Sequence, residues 1–343
     1  MEGATPHSSV TAVRPIILRN GQSPGDIVML TAAVRDLHLC YPGEFTTDVR
    51  TSCPALWLEN PYITPLEEDD ARVEVIDCQY PLIHRSNTQP WHFLFGYIEF
   101  LNERLGLRIQ PTEFRGDIHL HREERRWMSQ VHEITGEDTP FWIIVAGGKR
   151  DFTIKWWDVR RWQAVVDHFR GRIQFVQVGA AEHHHPALEG VIDLRGRTDL
   201  RQLVRLVYHA QGVVCPVTSL MHLAAAVPVK VARASSPQSP GDASRHPTPQ
   251  NRPCVVVAGG REPPHWEAYP HHQFIHTNGQ ILCSSCAATR ADAGRRGRCR
   301  WGMGTRRIRR DSFVWMWSGK GKTFNVQLST FNVQRSRCLG AWI

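Results

Sequence analysis

Several signatures are missing from this 343-residue chain. It has no Walker A lysine motif and no complete Gly-x-Gly-x-x-Gly, so neither common phosphate-cradling loop is present in its usual form. No apolar run approaches the roughly 18 residues that would cross a bilayer. The first fifteen residues lack a positive stretch followed by an apolar core, so no secretory leader is expected and the cytoplasm is the default location. Nine cysteines are too few and too scattered for a disulfide scaffold. Cys40, Cys53, Cys78, Cys215 and Cys254 sit mostly beside apolar residues and read as buried thiols.

What is present is a soluble-protein composition with uneven charge. Hydrophobic residues make up 41% of the chain, and 41 Lys+Arg face 33 Asp+Glu for a net +8. Mean hydropathy is −0.35 and the sequence pI is near 9.2. Residues 287–343 carry 13 Lys/Arg and 2 Asp/Glu, a net of +11. The first 286 residues therefore hold 28 basic and 31 acidic groups, a net of −3. The body is mildly acidic and the tail alone makes the protein basic.

The pattern along the body is strand, Gly-containing loop, helix, repeated. Residues 15–19 (PIILR) read as a strand, 20–25 (NGQSPG) as a turn and 26–39 as a helix opened by an acid. Strands are expected at 44–48 and 73–77, a helix at 97–105, and a linker within 122–139. A second such unit begins with a strand at 141–146 followed by Gly147-Gly148, a helix at 159–169 and a strand at 173–178. Thr198 is the expected N-cap of a helix over 199–210. A strand at 212–215, a helix at 219–226 ended by Pro228, an exposed Ser/Pro-rich loop at 235–253 and a strand at 254–258 follow. The fold class is α/β: two doubly wound, Rossmann-like domains facing a cleft, with an irregular C-terminal tail.

Four places carry candidate chemistry. Gly25-Asp26 sits at a strand-to-helix loop, where the helix dipole alone favours an acid. Alternatively, Asp26 faces the cleft at the carboxyl end of the first strand, where ligands bind in open α/β sheets. Thr218-Ser219 opens a helix after a strand, either as an ordinary cap or with free N–H groups aimed at a phosphate. His222, one turn on, reads by itself as a satisfied, partly buried histidine. Lys155, beside Trp156 and Trp157, offers a cation to a diphosphate or is a solvated lysine next to packed indoles. Glu182-His183-His184-His185 invites a metal, but adjacent histidines project in divergent directions and no site is expected there.

Taken together, these stretches resemble glycosyltransferase family 9, the ADP-heptose:lipopolysaccharide heptosyltransferase group, with its GT-B fold. The resemblance is carried by residues 19–43, 152–169 (FTIKWWDVRRWQAVVDHF), 177–186 (QVGAAEHHHP) and 212–231 (GVVCPVTSLMHLAAAVPVKV), and spans roughly 14–286. It implies an acceptor-side domain over 14–135, a nucleotide-sugar-binding domain over 136–286 and an added tail over 287–343. It also implies inverting sugar transfer to a glycan or lipopolysaccharide-type acceptor, without a metal or other cofactor, from a nucleotide-sugar donor (an ADP-sugar favoured). The absence of Asp-x-Asp agrees with that. Under the resemblance, Asp26 in its Gly25 loop is the general base, and Lys155, Thr218, Ser219 and His222 hold the donor with Glu182 on its ribose. Val217 replaces the family's acid before the Thr, which puts heptose specificity in question and allows an inactive relative. The implied location is the cytoplasm, with peripheral contact at the inner face of the membrane.

The tail changes character: Arg pairs cluster, histidines stop, and TFNVQ at 323–327 recurs at 330–334. As a basic extension it would grip nucleic acid or an anionic surface, the alternative function for the chain. A shifted reading frame from Ala288 to Asp311 can instead yield a charge-balanced string containing Gly-Gly-Cys-Trp-Lys, which suggests a frameshift near Cys286. Such a cysteine would complement Cys283 and Cys286, a weak candidate for a structural metal site on their own. Loss of the native end would also remove a segment that packs back across the two domains in GT-B chains.

Overall fold

The computed structural model describes residues 13–78, 92–229, 251–258 and 264–276, together with two short strands at 318–319 and 322–323. The chain divides into two compact units, 1–276 and 277–343. In the second, strands Ser318–Gly319 and Lys322–Thr323 pair antiparallel. The Ser/Pro-rich segment up to residue 250, and Cys283 and Cys286, lie outside the described residues. Among the described residues no helix is long and apolar enough to cross a membrane.

The first unit holds two parallel sheets. β1 (Arg14–Asn20) buries Ile16, Ile17 and Leu18 completely and sits between two neighbours. It feeds α1 (Pro24–Cys40), which opens with Pro at its first position, as a fixed φ favours. β2 (Phe45–Thr51) and β3 (Glu74–Asp77) flank β1 in the order β2-β1-β3. α2 (Leu94–Leu105) packs on α1, and α1 is buried nearly all round because another helix covers its far side. Its buried Arg35 is satisfied by Asp36 at 2.9 Å and by the carbonyls of Glu113 and Arg115, each at 2.9 Å. Those bonds clip the bend at residues 112–115 onto α1.

The expected linker contains two short capped helices. α3 (Arg122–Arg126) starts at His121 with a reciprocal capping box, Glu124 reaching back to the His121 N–H at 2.7 Å. α4 (Gln130–Thr135) starts at Ser129, whose hydroxyl accepts from the His132 N–H at 3.1 Å. Charge without apolar periodicity hid these helices, since their ends rather than their faces specify them.

The second sheet is β4 (Phe141–Ile144), β5 (Gln174–Gln177), β6 (Ile192–Asp193), β7 (Gly212–Pro216), β8 (Cys254–Val257) and β9 (Gln273–Ile275). All pairings are parallel, and the order is β6-β5-β4-β7-β8-β9. The direction of winding reverses between β4 and β7, and such a reversal opens a crevice at the strands' carboxyl ends. α5 (Val159–His168), α6 (Leu200–His209) and α7 (Ser219–Ala226) connect the strands, and α8 (Pro264–Glu267) precedes β9. Asp199, not Thr198, caps α6, because Asp199 and Gln202 satisfy one another's backbone N–H groups at 2.7 and 2.9 Å.

Segment 264–272 returns to the first half. Trp266 stacks on Phe93 with centroids 5.2 Å apart, and its carbonyl accepts from the Phe93 N–H at 2.7 Å. A second tie is Arg201 of α6, which forks onto Glu124 and also donates to the His119 carbonyl at 3.0 Å. Glu124 and Arg201 side chains are 7% and 14% exposed, so neither charge has water in reserve. Glu124→Ala should therefore lower stability by about 3 kcal/mol, the cost typical of an orphaned buried ion. Urea denaturation measures it, and adding Arg201→Met should recover most of the loss.

Candidate active site

Two helix N-termini meet near the carboxyl end of β7. α1 and α7 pack together. A Cβ built on Gly25 would lie 3.0 Å from His222 Cδ2 and 3.5 Å from the Ser219 Cα. Glycine allows this close approach, and a Cβ there would press on the buried His222 ring, which would have to give by a few tenths of an ångström. The contact brings the first turn of α1, which carries Gly25 and Asp26, against the start of α7 at Ser219 and His222. Gly25, Ser219 and His222, all singled out in sequence, are thereby brought to one place.

Asp26 is half-buried. Burial raises its carboxyl above the usual 3.8, opposed by a hydrogen bond from the Ser23 backbone and by the charges of Lys155 and Lys149. The cap-type bond supports the structural reading of this acid, while burial prevailing over two cations is a shift of the kind that functional carboxylates also show. Lys155 ends a short 3-10 turn (Arg150–Lys155) after β4 and faces both Asp26 and His222 electrostatically. The loop leading to it passes Gly147, whose φ of 104° only glycine adopts readily, and a Cβ there would lie 2.1 Å from the His184 carbonyl oxygen.

Thr218 caps α7, its hydroxyl accepting weakly from the Leu220 N–H at 3.4 Å. His222 is only 4% exposed. Burial, with the nearby charges of His92 and Lys155, pushes it down to about 3, so it is neutral at physiological pH. Its Nδ1 shares a 2.8 Å hydrogen bond with the Tyr269 hydroxyl, whose ring also meets His92 at 5.3 Å. A neutral ring cannot pair with phosphate by charge; what it does here is tie α7 to the returning segment. Val217, before the cap, points into the core at 3% exposure.

Glu182 belongs to a different loop. It occupies the loop after β5, is exposed, and its carboxylate lies 3.7 Å from His183 Nε2. A shallow cavity of about 540 Å3 opens beside that loop, between Gly147, Trp156, Trp157, His184 and Pro186. Trp156 and His184 stack there at 4.6 Å. Among the described residues no group of three or more His, Cys, Asp or Glu side chains converges on a metal-sized site.

Two features went unread in the sequence. One is a network under the α1 entry: Asn20 Nδ2 donates to the Tyr97 hydroxyl at 2.9 Å, which donates to Gln22 Oε1 at 2.5 Å. The other is Lys149, whose Nζ donates to Ser23 Oγ at 2.9 Å. A composition signal existed for it: the chain has only five lysines among its 41 basic residues, and two of them, Lys149 and Lys155, flank this one turn.

Because burial lifts Asp26's folded pKa above its unfolded 3.8, its contribution to stability is complete below the unfolded value. That contribution is lost as pH rises through the folded value. Asp26→Asn should thus raise the melting temperature at pH 7 and lose that advantage near pH 3.5, as read by calorimetry across pH.

Residues 84–240 match the family model described as glycosyltransferase family 9 (heptosyltransferase). That span contains Lys149, Lys155, Glu182, Thr218, Ser219 and His222 but not Asp26. No curated protein matches the chain in sequence. Two solved structures share its fold at low identity. The glycosyl transferase family 9 protein from Veillonella parvula superposes with a TM-score of 0.57 at 15% identity, over 77% of this chain and 86% of that one. The E. coli ADP-heptose lps heptosyltransferase II superposes with a TM-score of 0.51 at 16% identity, over 76% and 89%. Residues 84–240 are thus similar to glycosyltransferase family 9, and the chain shares the α/β, GT-B fold of these two structures.

Proposed function

We propose that the chain transfers a sugar from a nucleoside-diphosphate donor to a glycan acceptor with inversion. The observation that carries this is the convergence of Asp26 with the start of α7 and Lys155 at one crevice. The Asp26 carboxylate takes the proton of an acceptor hydroxyl while that oxygen attacks the anomeric carbon. The bond from that carbon to the diphosphate oxygen breaks on the opposite face, which inverts the centre. The leaving diphosphate gains negative charge, and Lys155, the Thr218 hydroxyl and the α7 N-terminal N–H groups supply positive potential to receive it.

On the acceptor side, a cavity of about 370 Å3 opens at the carboxyl ends of β1 and β2 beside Asn20, Gly21, Thr51 and Ser52. An open hollow with Asn20, Arg50, Thr51 and Ser52 on its walls offers hydrogen-bonding groups to a hydroxyl-rich glycan. An ADP-sugar is the donor we favour, because a structure of the same fold is named an ADP-heptose transferase. Val217 offers no polar atom to that donor, so a sugar other than heptose fits this reading as well.

Two measurements test it. A thermal-shift panel of ADP-, GDP- and UDP-sugars should give its largest stabilisation with the ADP-sugar, since a ligand bound only to the folded state raises stability by mass action. Asp26→Asn should lower kcat by about 10^2 to 10^4-fold, the usual share of a general base, with donor affinity almost unchanged. Retained turnover in that variant would remove Asp26 from the base role.

A further inference from the structure

Ser23 stands at the N-cap of α1 with extended backbone angles (φ −69°, ψ 158°), yet its side chain makes no cap hydrogen bond. A serine in that place normally turns its hydroxyl onto the N–H of the second or third helical residue. Here the hydroxyl instead accepts from Lys149, 126 residues away and in the other half of the unit. The helix has given up its cap bond to hold a lysine.

The lysine is delivered from a rigid base. Gly148 N–H donates to the His184 carbonyl at 2.8 Å and His184 N–H returns to the Gly148 carbonyl at 3.1 Å. The backbone just before Lys149 is therefore fastened to the loop after β5. The choice of lysine is pointed in a chain that otherwise uses arginine for its positive charge. An ammonium is a compact point charge that can sit on a single hydroxyl, whereas a guanidinium presents a planar fork. From this seat Lys149 is close enough for its charge to act on Asp26, three residues beyond Ser23.

We propose that Lys149 is a positioning residue, which docks the donor-side loop after β4 onto the first turn of α1 and so sets Asp26 at the correct distance from the donor's reacting carbon. Its kinetic consequences rest on the glycosyl-transfer reading above. The contact is solvent-exposed, and exposed polar contacts add little to stability. Its effect is therefore on the geometry of the crevice, where small misplacements of reacting groups are costly.

The test compares Lys149→Met, Lys149→Arg, Ser23→Ala and the Met/Ala double variant in the full chain. Each single variant should melt as the parent does and lose about 10-fold in kcat, well within what misplacement can cost, with donor KM within about 2-fold. The double variant should be no worse than the worse single one, because both remove the same contact. Lys149→Met should also move the acid limb of the kcat–pH profile upward, since a cation that favours the Asp26 carboxylate is gone, while Lys149→Arg should restore the limb. Parent-like kcat in Ser23→Ala, or a loss of donor affinity in Lys149→Met with kcat intact, would overturn the assignment. Failure of the parent to turn over any nucleotide-sugar would instead sink the enzymatic reading. The docking is then still decided by hydrogen exchange: Lys149→Met and Ser23→Ala should each accelerate exchange in both segments 23–27 and 146–150. Acceleration confined to the mutated segment would reject it.

Discussion

The close approach of α1 to α7 at Gly25 is the constraint on which this structure turns. A residue without a side chain lets the first turn of one helix sit against Ser219 and His222 of the other. Both helices point their N-termini at the same space, so their positive ends add rather than oppose. The remaining architecture serves that meeting. α1 is buried along nearly its whole length, Arg35 clips the neighbouring segment to it, and Tyr97 braces the loop that enters it. On the other side, strand order reverses between β4 and β7, and the Lys155 turn after β4 acts electrostatically on both Asp26 and His222.

Electrostatics in the crevice are a contest that burial wins at both titratable centres, with opposite uses. At Asp26, burial outweighs a backbone N–H and two lysines and keeps the carboxyl more basic than in water. At His222, burial removes the charge altogether and leaves a ring that bonds Tyr269. The positive potential near the helix ends therefore comes from lysines and backbone N–H groups and owes nothing to histidine, despite the 18 histidines in the chain.

Much of this was legible because it is local. Apolar runs and flanking glycines located β1, α1, β4 and β7 to within a residue or two, and the extent of α7 was read without error from its hydroxyl cap and Pro228. Elements held by caps or by pairing alone were not. The two-residue β6 and the three-residue β9 have no period to read, and α3 and α4 declare themselves through side-chain caps. In the site, Asp26, Thr218 and Ser219 could be nominated because each sits at a strand-to-helix junction. Lys149 and Tyr269 could not, since their roles depend on partners 126 and 47 residues away.

The central claim, that the crevice between the two helix N-termini holds a nucleoside diphosphate with its reactive end toward Asp26, is tested most directly by a crystal structure with an unreactive nucleotide-sugar analogue. The diphosphate should lie within hydrogen-bonding distance of the Ser219 N–H and Lys155, with the anomeric carbon facing Asp26 across the acceptor-side opening. A diphosphate bound elsewhere on the sheet edge, or a sugar turned away from Asp26, would contradict it.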